Sequence, residues 1–147
     1  MGRLLDRLGR RRARGQALVE FSLTIVIFLV LLMAIVDLGR GIYQFNGVSE
    51  AAREIARVTS VHPGTPGALG STTNTAAVLA AQKALIPGLG NPTFTCVDID
   101  GSAVTDTCVA GMQVKVVILA PYQPVTPILS MIGNIDLASS STFSIQQ

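Results

Sequence analysis

The side chain with the least ordinary placement is Glu20. It stands at the head of an apolar run: from Phe21 to Val36 there is no charge, and Ser22 and Thr24 are the only polar side chains. An acid at the centre of a membrane helix costs about 2.5–3.5 kcal/mol on insertion scales, less near an end. Such a carboxylate needs an outlet. It reaches the headgroups or pairs with a nearby cation such as Arg14.

The second pair with chemistry to offer is Cys96 and Cys108, the only cysteines. They flank a predicted hairpin in the part of the chain that the charge pattern places outside the cytoplasm. An even count in an exported domain predicts a disulfide. Two cysteines and the single histidine, His62, fall short of the usual four zinc ligands, and no CxxC is present. Asp98-x-Asp100-Gly101 has the spacing of the middle of a calcium loop. The flanking positions hold Cys96 and Thr107, where that loop requires acids, so the stretch reads as a turn. His62 precedes a proline, as a loop residue would. No G-x-S-x-G elbow and no phosphate-binding glycine loop occurs. The sequence therefore predicts a protein that is not an enzyme and that needs no cofactor or metal.

The elements that position these residues begin with the apolar run. Ala17 to Leu38 as a helix extends roughly 33 Å, enough to cross the hydrocarbon core of a bilayer. A soluble core helix is rarely apolar on every face for so long. Six arginines and one acid precede Gly15, whereas five basic and eight acidic residues follow it, for a net −3. The bias of positive charge toward the cytoplasm puts the N-terminus inside and the remainder outside. The arginines lie against a span and their topological role accounts for them, so no nucleic-acid partner is inferred. An ordinary signal peptide is the competing reading of a basic leader and an apolar run. The run exceeds the usual h-region, and Gly39-Arg40-Gly41 is a poor cleavage site.

Along the chain, residues 1–14 form a basic leader with helical spacing of Leu4, Leu5 and Leu8, which Gly15 is expected to break. The 41–59 segment is read as an amphipathic helix continuing the span. Ile42, Phe45, Val48, Ala52 and Ile55 share one face, and Glu50/Arg53 and Glu54/Arg57 form i,i+3 pairs of opposite sign on another. Gly39, Gly41 and Gly47 mark close packing or a bend. His62-Pro63-Gly64 stops the helix. A second helix is expected over 75–85, with Asn74 as N-cap, an alanine-rich packing face and Pro87-Gly88 as the stop. The rest reads as β: strands over 93–99, 102–108 around the Asp100-Gly101 turn, 113–119 and 137–145. Pro121, Pro124 and Pro127 are expected to forbid regular structure up to a helical turn at 128–132.

Gly15 followed by Glu20 as the fifth residue, behind a basic leader and ahead of an apolar helix, resembles a type IV prepilin processing site. The stretch Arg14-Gly15-Gln16-Ala17-Leu18-Val19-Glu20-Phe21 looks like the start of the TadE-like family, minor pilins or pseudopilins of tight-adherence (Flp, type IVc) pilus systems. The likeness continues through Asp37-x-Gly39-Arg40, Tyr43, Asn46 and Ala51-Ala52-Arg53-Glu54-x-Ala56-Arg57. The stretch Tyr122-Gln123-Pro124-Val125-Thr126-Pro127 fits the family's looser C-terminal pattern. The resemblance implies cleavage by a prepilin peptidase between Gly15 and Gln16. It also implies other pilin or pseudopilin subunits and a pilus assembly machine as partners, and a charge-pairing role in assembly for Glu20.

The expected fold class is α+β: a long N-terminal helix, first transmembrane and then amphipathic, packed on a small antiparallel sheet in the manner of a pilin. The expected division is a leader at 1–15, a transmembrane helix at 16–40 and an extracytoplasmic domain at 41–147, in a single-pass protein of the cytoplasmic membrane. Two other readings stay open here. One is a membrane-anchored extracytoplasmic binding module that keeps its leader and never polymerises. The other is a secreted domain released by signal peptidase. The mature N-terminus separates the three: Gln16, Met1, or a residue near Ile42.

Overall fold

The computed structural model describes residues 2–65, 68–104, 108–131 and 133–146, and of residues 2–14, 127 and 128 the backbone alone. The order of elements is α1 (Gly2–Val61), α2 (Thr73–Leu85), β1 (Thr93–Val97), β2 (Ala103–Val104), β3 (Gln113–Tyr122), α3 (Pro127–Ser130) and β4 (Ile135–Ser144). The strands form one antiparallel sheet in the order β2-β1-β3-β4. This is the expected α+β architecture, a long apolar-then-amphipathic helix on a small antiparallel sheet.

Helix α1 runs unbroken for 60 residues. Gly15 does not interrupt it, contrary to the expectation from sequence. A helix-interior glycine costs about 1 kcal/mol relative to alanine, which is small against the i→i−4 bonds on either side, and no proline occurs before Pro63. The end is abrupt. Pro63 follows the last turn, and Gly64 adopts φ +92°, with a Cβ there falling 2.7 Å from the Ala68 carbonyl oxygen. Only glycine fits that reversal.

The upper part of α1 lies along the sheet. The Tyr122 hydroxyl meets the backbone of Asp37, while near the other end of the sheet the Gln146 amide donates to the Ser60 carbonyl at 3.2 Å. A ten-residue strand is about 34 Å long, and so is the helix between Asp37 and Ser60, so strands and helix run side by side. Alternate β3 residues Val114, Val116, Ile118, Ala120 and Tyr122 face the helices and are buried. Against them α1 places Val48, Ala51, Ala52, Ile55 and Ala56, all fully buried. Alanines here allow the backbones to approach. Ile42 and Phe45, expected on the same face, are 54% and 44% exposed, because the stripe that meets the sheet passes through Gly41, Gln44 and Val48 instead. The pairs Glu54–Arg57 and Glu50–Arg53 lie on the open side at 2.6 and 3.8 Å. The Arg57 guanidinium holds the Glu54 carboxyl below its usual range.

Three further differences have local causes. The N-cap of α2 is Thr72, whose hydroxyl oxygen accepts from the Thr75 amide at 3.2 Å; Asn74 lies inside the first turn. Helix α2 packs through Thr75, Val78 and Leu79, and Ala76, Ala77, Ala80 and Ala81 are exposed. Strand β3 continues through Pro121, paired with Asp136 of β4. The side of β3 that would need the missing proline N–H faces past the end of β1, whose last pairing is Thr93 with Val117, so no ladder bond is lost. The hairpin turn forms with Gly101 at φ +88°, and Asp100 Oδ1 accepts from the Ser102 amide and hydroxyl at 2.9 and 2.7 Å. Those bonds hold the Asp100 carboxyl below its usual range. Residues 105–107 of the expected return strand lie outside the described residues, as do Pro66, Gly67 and Ile132. Cys96 and Cys108 are joined by a disulfide with a Cα–Cα distance of 5.6 Å, linking β1 to the segment beyond β2.

Candidate processing segment and membrane exit

Two places on α1 carry the candidate chemistry. The first is the head of the apolar run. Gly15 and Gln16 lie one turn before Glu20 on the helix, and all three are exposed. A Cβ at Gly15 would have no atom within 4 Å. The two hydroxyls of the run are satisfied inside the helix: Ser22 donates to the Val19 carbonyl at 2.8 Å and Thr24 to the Glu20 carbonyl at 2.9 Å. This back-bonding removes the cost of bare hydroxyls in an apolar medium. Gln16 and Glu20, four residues apart, share a face. The side chain of Arg14, the sequence-based partner for Glu20, lies outside the described residues. Above this point α1 is long and apolar enough to cross a membrane, and none of its most apolar stretch is buried by the rest of the chain. A core helix of a soluble protein would be covered.

The second place is the upper end of the run. Asp37 is 3% exposed, although it belongs to a segment expected to be free of the domain. Its carboxylate accepts the backbone amides of Val125 at 3.1 Å and Thr126 at 2.7 Å. Its backbone carbonyl accepts the Tyr122 hydroxyl at 2.7 Å. Arg40, one turn on, approaches the carboxylate at 3.8 Å. Burial and the neighbouring negative charge push the Tyr122 phenol above its ordinary pKa. Gly41 lies against the Tyr122 ring, where a Cβ would be 3.7 Å from it, and Gln44 donates to the Pro121 carbonyl at 3.2 Å. The domain therefore grips the helix from Asp37 onward, at a fixed height and rotation.

Residues 15–57 match the TadE-like protein family. No curated protein and no solved structure matches the chain. The TadE-like match covers both places just described and the buried face up to Ala56.

Within the TadE-like segment the residues divide by what they touch. Asp37, Ala51, Ala52 and Ala56 are buried against the domain. Arg40, Tyr43 and Asn46 instead line an open cleft of about 580 Å³ whose far wall is Gln82, Leu85 and Ile86 at the end of α2. Gly47 faces Ile86, the C-cap of α2, and a Cβ there would stand only 3.3 Å from Ile86 Cγ1. Close packing therefore explains Gly47 but not Gly41, where a Cβ would make ordinary contact with the Tyr122 ring, nor Gly39, which has nothing within 4 Å. Sequence reasoning missed the junction between Asp37 and Tyr122. One signal existed, an isolated acid closing an apolar run, but nothing local names a partner 85 residues away. Among the described residues no cluster of His, Cys, Asp or Glu is arranged to hold a metal.

Proposed function

We propose that the chain is a TadE-like minor pilin or pseudopilin, a structural or assembly component of a tight-adherence type IV pilus or a related secretion apparatus. In this reading residues 1–15 are a cytoplasmic leader removed by a prepilin peptidase. Residues from Gln16 cross the cytoplasmic membrane once, and the sheet domain stands outside. The observation that carries the reading is the placement of Gly15-Gln16 and Glu20 at the foot of the apolar run of one continuous helix. That helix is bare through its apolar run and becomes the spine of a folded domain at Asp37. A subunit that is to pack by its N-terminal helix needs that helix uncovered and rigidly joined to the part it displays.

Cleavage after Gly15 gives Gln16 an α-amino group, positive at neutral pH. It then lies one turn from the Glu20 carboxylate, or meets that of a neighbouring subunit at the same depth. Either contact offsets the cost of an acid in the membrane, and the second sets the axial register between subunits.

The mature N-terminus tests the proposal. Membrane protein from cells with the peptidase is expected to begin at Gln16, and from cells without it at Met1. A mature protein beginning at Met1 in both identifies a stand-alone anchored module, and one beginning near Ile42 a released domain. Protease added to spheroplasts is expected to digest the part beyond Gly41.

A further inference from the structure

We propose that the stretch 123–131, between β3 and β4, rests in the interfacial layer of the outer leaflet, so that the domain is seated on the lipid surface. The inference rests on the reading of residues 16–36 as the span.

Height fixes the position. The amides of Val125 and Thr126 are bonded to the Asp37 carboxylate, which pins the stretch to that turn of α1. Side chains on a helix lean toward its N-terminus, so these amides lie on the membrane side of the Asp37 Cα. Asp37 is the first charge after the bare run from Phe21 to Val36. The 21 residues from Gln16 to Val36 extend about 31 Å, the thickness of a hydrocarbon core. The level of Asp37 is therefore the level at which α1 leaves the hydrocarbon, and the stretch 123–131 is held there with it.

Composition agrees with height. There is no charged residue from Gln123 to Met131. Among its described side chains, Val125 and Met131 project, at 65% and 87% exposure. On the adjoining turns of α1, Leu38, Ile42 and Tyr43 are also exposed, and the Arg40 side chain is half exposed. Apolar, tyrosine and arginine side chains at one level are the composition of a membrane–water interface, the cation reaching lipid phosphate. At the opposite end Ile99, Val61 and Val109 are also exposed, but no tyrosine joins them there and carboxylates lie among them. There the exposed Ile99 sits between Asp98 and Asp100, and α1 carries its Glu–Arg pairs. Left in water, Val125 and Met131 would present apolar surface beside a bilayer that takes such surface up favourably.

The chain contains no tryptophan, so one introduced indole reports on its own site. V125W, M131W, I99W and I35W are placed in the full chain in nanodiscs, with lipid tails either plain or brominated near the carbonyl end. All four positions are exposed, so packing is preserved. The expected result is that V125W and M131W lose most of their emission in brominated lipid, as I35W does, while I99W loses none. V125W and M131W that behave like I99W while I35W is quenched overturn the proposal alone. An unquenched I35W overturns the span reading and this inference with it.

Discussion

The Tyr122 hydroxyl donates to the Asp37 backbone carbonyl at 2.7 Å, across 85 residues of sequence, and two amides of the following turn close on the Asp37 carboxylate. This junction ties the Asp37 turn of α1 to the end of β3 and the segment that follows it. A helix that left the membrane without such a clamp would let the domain swing about the first free turn.

Asp37→Ala removes the acceptor of the buried Thr126 amide and of the part-buried Val125 amide. Leaving a buried donor unsatisfied costs about 1–3 kcal/mol, so the variant is expected to be clearly destabilised. Tyr122→Phe removes one donor, at about 0.5–1.5 kcal/mol. Because both act on one junction, the double variant is expected to lose less than the sum. Denaturant unfolding of the four proteins in detergent measures this, and strict additivity would show that the two residues act separately.

Gly39 and Gly47 are expected to respond oppositely to enlargement. Gly39→Ala enters open space on a helix and is expected to stabilise by up to about 1 kcal/mol. Gly47→Leu must displace Ile86, already 3.3 Å from where its Cβ would stand, and is expected to loosen α2. Hydrogen exchange across Thr73–Leu85 reads the second effect; unchanged protection in Gly47→Leu would contradict the contact.

Reduction of the Cys96–Cys108 disulfide, which spans 12 residues, is expected to lower stability by about 3 kcal/mol in the chain-entropy model. Non-reducing peptide mapping of protein from the cell surface should find the two joined. The melting temperature should fall on reduction and fall equally in Cys96→Ser/Cys108→Ser without reductant.

Glu20→Ala is expected to leave cleavage and insertion intact and to weaken incorporation into the pilus or its assembly complex. Glu20→Asp should be milder. Glu20→Lys should be at least as severe as Ala, because it sets a cation beside the new terminal amine. Processed protein in membranes is compared with protein that co-isolates with sheared pili. Undiminished co-isolation of the Ala and Lys variants would remove Glu20 from assembly.

What the sequence by itself determined follows from local physics. An uncharged run from Phe21 to Val36 has one low-energy solution near a bilayer, a helix. The alternation Leu137, Ser139, Ser141, Phe143, Ile145 places those residues on one face of a strand whatever surrounds it. Turn chemistry put Gly101 at the hairpin. Tertiary structure decided what depends on distant partners. Which stripe of α1 is buried was set by the sheet it meets, so Val48 went in and Ile42 stayed out. Pro121 is tolerated in β3 only because β1 has ended by that level. The burial of Asp37 depends on Tyr122, Val125 and Thr126, and no pattern within one element can announce it. Hydrophobic periodicity reports the environment of a residue's own turn. A hydrogen bond closed across 85 residues exists only once the chain between has been folded.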